Sequence, residues 1–261
     1  MSVLVQLKEF FDNFKGEKSI IGRSFLRKPI YCFKVQKSQY PKIICQYSIH
    51  AREYITTYLA MEQIKDFAMH GKRGTIFFLP ATNPDGIEIC EQGDLLYKAN
   101  ARGVDLNVNF DARWGTGKEN VLKKGGQNYI GKRPFSEVET KLLRDFTLKV
   151  NPDATISYHS KGEEIYYQFF QEDKEEKRDR YIAEQIEKVT GYKIKLTPNS
   201  AGGYKDWCIE RLKIPAFTIE VGRDELSHPI GKEHLEDIYK KCRGVSQAVI
   251  DALERLCKTN L

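Results

Sequence analysis

The chain has 261 residues, 41% of them hydrophobic and 30% charged, the balance of an ordinary soluble globular protein with length for one large core or two small ones. Its net charge of +6 is modest, and basic residues are interleaved with acidic ones, as in QEDKEEKRDRY, which argues against a nucleic-acid surface and for a solvated helical face. No apolar run approaches the ~20 residues that a membrane-spanning helix needs.

The first residues, MSVLVQLKEFFDNFKGEK, carry acidic groups where a signal peptide has an uninterrupted apolar core. They predict an amphipathic first helix and a cytoplasmic protein. Runs rich in Ile, Val, Phe and Tyr predict strands at about 30–36 and 42–49. Segment 53–70 sets Tyr54, Tyr58, Met61, Ile64 and Phe67 at three- and four-residue steps, the period of a helix. A further strand is expected at 74–80, followed by a long irregular stretch, 83–133. Loops of that length in compact domains are usually functional or disordered, and its polar residues beside strand ends favour function. Segment 136–149 opens with Ser136 and has Glu139 three residues on, a capping-box pattern. Strands follow at 153–159, 164–170 and 214–221, and a last helix over 233–257 keeps Leu235, Ile238, Cys242, Val245, Val249 and Leu253 on one stripe.

This alternation predicts α/β architecture in a single domain over 1–261: a mixed, mostly parallel central sheet flanked by helices. Six scattered cysteines without a C-x-x-C pair read as mostly buried free thiols in a reducing compartment. In open α/β sheets, sites collect at the carboxyl ends of strands, and SIH, SYH and TIE all end predicted strands. His50, Glu53 and His159 are the residue types of a catalytic zinc site, in which three ligands leave the fourth position open. An H-x-x-E pair alone says little. A solvated histidine and a carboxylate at a helix N-terminus give the same spacing.

SIHARE, NPDG, GVDLNVNF, SYHS, AGGYKDW and FTIEVG follow one another in order. With them the chain resembles the zinc metallocarboxypeptidase family, of carboxypeptidase A-like fold, from about residue 43 to 222. The resemblance implies one zinc ion held by His50, Glu53 and His159, with Glu220 as the general base for the attacking water. It implies Asp105 as the carboxylate that orients the first histidine, and a cation for the developing oxyanion, a place matched by Lys98 with Arg102 close by.

Three departures qualify the likeness. Asn107 is kept, but Val108 stands where the family's exopeptidases have the arginine that grips a terminal carboxylate, and valine makes no such contact. Pro198 falls where the family has a mobile tyrosine. Lys205 occupies the position of the selecting side chain in the primary specificity pocket. The segments HSKGEEIYY, SAGGYKDW and NVNF together look most like bacterial γ-D-glutamyl-L-diamino-acid peptidases. The implied partner is then a peptidoglycan stem peptide, with Lys205, helped by Arg113 or Lys161, holding the remote carboxylate of diaminopimelate. The alternatives are a conventional carboxypeptidase with a relocated arginine (Arg102 or Arg113), a zinc deacylase of N-acyl amino acids, and an inactive relative that only binds peptidoglycan fragments. Arg52 and the KKGGQNYIGKRP loop stay without a role.

Overall fold

The computed structural model describes residues 1–125 and 127–259. Three short apolar strands form its centre: β3, β5 and β8 below. Side chains buried on both faces make such strands read as continuous apolar runs rather than alternating ones. In chain order the elements are α1 (Val3–Asn13), β1 (Glu17–Arg23), β2 (Pro29–Gln36), β3 (Lys42–Tyr47), α2 (Ile55–His70), β4 (Thr75–Leu79), α3 (Pro84–Glu91) and α4 (Val138–Val150). Then come β5 (Ala154–His159), β6 (Glu164–Tyr166), α5 (Asp173–Thr190), β7 (Lys193–Ile194), α6 (Tyr204–Leu212), β8 (Ala216–Glu220), α7 (Leu235–Cys242) and α8 (Val245–Thr259). The strands make one sheet in the order β1-β2-β4-β3-β5-β8-β6-β7. β4, β3, β5 and β8 run parallel, while β1, β2 and β6 contribute antiparallel pairs toward the edges. The predicted mixed sheet flanked by helices is the observed one.

Alternate residues of β3 serve opposite cores. Ile43, Cys45 and Tyr47 face α1, α2, α5, α7 and α8. Ile44 faces the other layer, with Leu143 of α4 and Trp207 and Cys208 of α6. Five of the six free cysteines are buried; Cys257 is exposed. Among the described residues no helix is long and apolar enough to cross a membrane.

Several boundaries differ from expectation for local reasons. The strand β1 is mostly exposed and polar (EKSIIGR), so it carries no apolar signature. Ser136 does not cap α4: the cap position is Glu137, and Glu139 is drawn into tertiary bonds instead, accepting from Phe25 N at 2.9 Å and Asn100 Nδ2 at 3.2 Å. The last predicted helix is two, α7 and α8, separated at Arg243 and Gly244, yet Ile238, Cys242, Val245, Val249 and Leu253 all stay buried on one core. The segment 83–133 is less irregular than expected, since NPDG opens α3: Asn83 Oδ1 accepts from Gly86 N at 3.0 Å and Pro84 takes the first turn.

A buried polar knot ties the strand pair beneath the site to α2. Tyr47 and Tyr158 are register partners, and their rings stack at 4.6 Å with planes 1° apart. The Tyr47 hydroxyl donates to Gln63 Oε1 at 2.5 Å, and Gln63 Nε2 donates to Tyr158 Oη at 3.1 Å and to the Cys242 carbonyl at 2.9 Å. Replacing Gln63 by leucine keeps the volume but strands these buried groups, at about 1–3 kcal/mol for each left unpaired. The Gln63→Leu protein is expected to unfold at clearly lower urea than the parent. An unchanged midpoint would mean the tyrosines find other partners.

Candidate metal centre

The chain leaves β3 at Tyr47 through Ser48, whose φ of 49° lies in the left-handed region. That strained residue is held on all sides: its Oγ bonds Thr56 Oγ1 and Thr57 Oγ1, each at 2.8 Å, and its N–H donates to Thr56 Oγ1 at 3.0 Å. The turn delivers His50 to the start of a 3-10 turn, Ala51–Glu53, which brings Glu53 back beside it. Asn83 Nδ2 clamps the neighbouring loop, donating to the Ile49 and Ala99 carbonyls. His159 arrives separately as the last residue of β5, directly opposite Glu220 of β8.

The three side chains converge. Glu53 Oε1 is 2.8 Å from His50 Nδ1, Glu53 Oε2 is 2.9 Å from His159 Nδ1, and the two Nδ1 atoms are 3.2 Å apart. On the far side of the ring, His50 Nε2 meets Asp105 Oδ1 at 3.1 Å. An ionised carboxylate only accepts, and both His50 nitrogens face one; a cation at the Nδ1 side would leave the proton on Nε2, toward Asp105. Neutral histidines would thus crowd lone pairs against a carboxylate, an arrangement that a divalent cation resolves. All three residues are buried, and their ligand atoms lie within 4.8 Å of one another. Two imidazoles and a carboxylate are a donor set that suits zinc.

The electrostatics agree. Burial alone would raise the Glu53 carboxyl, but His50 and His159 hold it well below the usual range. Burial likewise opposes ionisation of Asp105, and Lys98 and His50 outweigh it. Lys98 Nζ lies 2.6 Å from Asp105 Oδ2 and donates to Asn128 Oδ1 at 2.8 Å. Glu220 is different. Half-buried at the mouth of the sheet, it is pushed up by desolvation, and the Glu53 carboxylate adds to the rise while His159 opposes it.

A cleft of about 500 Å³ opens beside His50, lined by Lys98, Asp105, Asn107 and Val108 and walled by residues 117–120 and 197–201. Pro198 lies in that wall. Asn107 Oδ1 accepts from Tyr204 N at 3.2 Å, fixing the turn that carries Val108.

The other expected cations are committed elsewhere. Arg102 Nε is 3.0 Å from the buried Glu137 carboxylate, its guanidinium lies over Phe25, and it does not line the cleft. Lys205 is not a free ammonium in an open pocket. It is buried in α6, 2.6 Å from Asp206 Oδ1 and 3.0 Å from the Gln168 carbonyl. Arg113 pairs with Glu210 at 3.1 Å and stacks on Phe170, and Lys161 is bound to Asp224. The sequence reading missed Glu164, which stands opposite Glu220 in the β6–β8 pair and accepts from the Tyr166 hydroxyl. It also missed Lys118 and Glu119, which line the cleft from the turn after Gly117, and Asn128 from the glycine-rich loop. Their only signal was membership of a polar loop next to strand ends.

Three candidate ligands just beyond the ends of β3 and β5, a carboxylate alongside and an open cleft on one side make up a candidate zinc centre. Residues 7–240 match the zinc carboxypeptidase family. The chain belongs to that family. It is 28% identical to gamma-D-glutamyl-L-diamino acid endopeptidase 1 of Lysinibacillus sphaericus, over 86% of this chain and 65% of that protein, so it spans just under two thirds of that relative's length. Bovine thrombin-activatable fibrinolysis inhibitor, solved in complex with tick carboxypeptidase inhibitor, shares the fold, with a TM-score of 0.84 at 20% identity over 98% of this chain and 97% of that one. The murein-tripeptide amidase MpaA of Escherichia coli O157 does so with a TM-score of 0.66 at 18% identity over 94% and 95%.

Purified protein is expected to carry one zinc per chain by atomic emission. His159→Ala should abolish that content, and Asp105→Asn, which removes only the orienting charge, should weaken zinc about 10–100-fold. Full zinc retention in His159→Ala would exclude this ligand set.

Proposed function

We propose that the chain hydrolyses the amide between the γ-carboxyl of D-glutamate and the L-centre of a diamino acid in peptidoglycan-derived peptides. One observation carries the reading: the cleft presents Asn107 with Val108 beside it, and no arginine lines it among the described residues. A conventional carboxypeptidase needs a bidentate grip on the terminal α-carboxylate. Arg102 and Arg113, the relocated candidates, are paired with Glu137 and Glu210 instead. The likeness to an L. sphaericus endopeptidase named for this bond supports the same substrate class. The six free thiols fit the reducing cytoplasm that we propose as its compartment.

His50, Glu53 and His159 are the ligands in this scheme. Zinc bound there supplies Lewis acidity and makes water acidic near neutral pH. Glu220 takes the proton of the attacking water and passes it to the leaving amine. Its raised affinity for a proton suits a group that must both accept and release one near neutrality. Lys98 places its ammonium where the scissile carbonyl oxygen gains charge. Asp105 holds Lys98 and, through His50 Nε2, keeps the Nδ1 lone pair on the metal side. With His50, Glu53, His159 and Glu220 all retained, a merely binding protein is the weaker reading.

Zinc-loaded protein incubated with L-Ala-γ-D-Glu-meso-diaminopimelate is expected to release diaminopimelate by mass spectrometry and to leave an all-L peptide with a free C-terminus intact. Trimming of the all-L peptide alone would overturn the substrate assignment. Glu220→Gln is expected to keep its zinc and bind the γ-D-glutamyl peptide while losing about 10²–10⁴-fold in kcat; turnover equal to the parent would remove Glu220 from the base role.

A further inference from the structure

The cleft holds two lysines and two acidic residues among its described lining. Lys98 and Asp105 are committed to each other at 2.6 Å. Lys118 and Glu119 also line the cleft, and their side chains have no ion-pair or hydrogen-bond partner among the described residues. This is the more telling because Lys205, Arg113 and Lys161 are each already matched to an acid. A substrate carboxylate entering the cleft therefore finds its one uncommitted ammonium on Lys118.

The two side chains sit on a built corner rather than a loose tip. Asn120 N donates to the Gly117 carbonyl at 3.0 Å, closing a four-residue turn with Lys118 and Glu119 at its two corner positions, and Asn120 Oδ1 accepts from Gly117 N at 2.9 Å. Lys118 N donates to the Asn199 carbonyl at 2.9 Å, fastening the corner to the opposite wall. The approach is close: a Cβ on Gly117 would lie 2.8 Å from Asn120 Oδ1 and 3.1 Å from Ala201 N. The backbone is thus fixed, and adjacent positive and negative groups are presented to a cleft about 500 Å³ in volume, the size of a small-ligand site.

We propose that Lys118 and Glu119 read the far end of the substrate's diamino acid, a carbon bearing both a carboxylate and an ammonium. This rests on the γ-D-glutamyl reading above and deepens it. Lys118 takes the carboxylate and Glu119 the ammonium, each through a charge-assisted hydrogen bond. Diaminopimelate carries both groups; lysine carries the ammonium alone. The pair therefore selects diaminopimelate over lysine at that position, and Lys118 is the residue that makes the difference.

The test compares kcat/KM on three peptides, L-Ala-γ-D-Glu linked to meso-diaminopimelate, to L-lysine or to 2-aminopimelate, the last having the remote carboxylate without the ammonium. Zinc-loaded parent, Lys118→Met, Lys118→Arg and Glu119→Gln are assayed with zinc content and Tm checked alongside. The parent is expected to favour diaminopimelate over lysine by about tenfold or more. Lys118→Met should collapse that ratio and Lys118→Arg restore most of it, while Glu119→Gln should collapse the preference for diaminopimelate over 2-aminopimelate. A diaminopimelate-to-lysine ratio unchanged in Lys118→Met, with the parent active, overturns this proposal alone. A parent that cleaves none of the three peptides overturns the γ-D-glutamyl reading and this one with it.

Discussion

The parallel register of β3, β5 and β8 is the constraint from which the site follows. Tyr47 pairs with Tyr158 and His159 with Glu220, so one candidate ligand and the proposed base stand side by side at the same level of the sheet. Side chains alternate along a strand, and a slip of one residue would turn Glu220 to the opposite face. Burial prevents the slip: every residue of β5 is buried, and shifting the strand would exchange its two cores. The stacked Tyr47–Tyr158 pair and Gln63 lock the same register from below.

Within that frame, Asp105 links the metal ligands to the cleft. One carboxylate oxygen faces His50 Nε2 and the other faces Lys98, so a single buried charge fixes the ring of a candidate ligand and neutralises the ammonium next to it. Buried charges persist only when answered in this way. The turn at residues 106–108, which Asp105 caps by accepting from Asn107 N at 2.9 Å, fixes where that charge sits. It also brings Val108 into the cleft, where the absence of a guanidinium bears directly on what can bind.

The candidate metal ligands were legible in the residues because metal chemistry demands particular atoms, and SIHARE and SYHS set those residue types beside the ends of apolar strands. The cations were not. A lysine or arginine takes its role from whichever acid reaches it first, and that acid is usually distant in the chain. Glu137 claims Arg102 from 35 positions away and Glu210 claims Arg113 from 97. Lys205 meets its neighbour Asp206, but α6, the helix that buries the pair, was not apparent in AGGYKDW. Element boundaries followed the same division. Apolar periodicity marked β2, β3, α2 and the stripe of α7 and α8, whereas β1 depends on edge pairing that no local pattern announces.

By itself the sequence determined the α/β class, the apolar strands at the centre, the residues of the candidate metal triad and the departure at Val108. These are written in residue type and short-range spacing, which burial and coordination chemistry read directly. Only the tertiary structure decided which charges remain available to a substrate. It joined Lys98 to Asp105, withdrew Arg102, Arg113, Lys161 and Lys205 into pairs, and left Lys118 and Glu119 facing the cleft. The reason is that electrostatic roles are settled by contacts a few ångströms long between residues many positions apart, and folding alone makes those contacts.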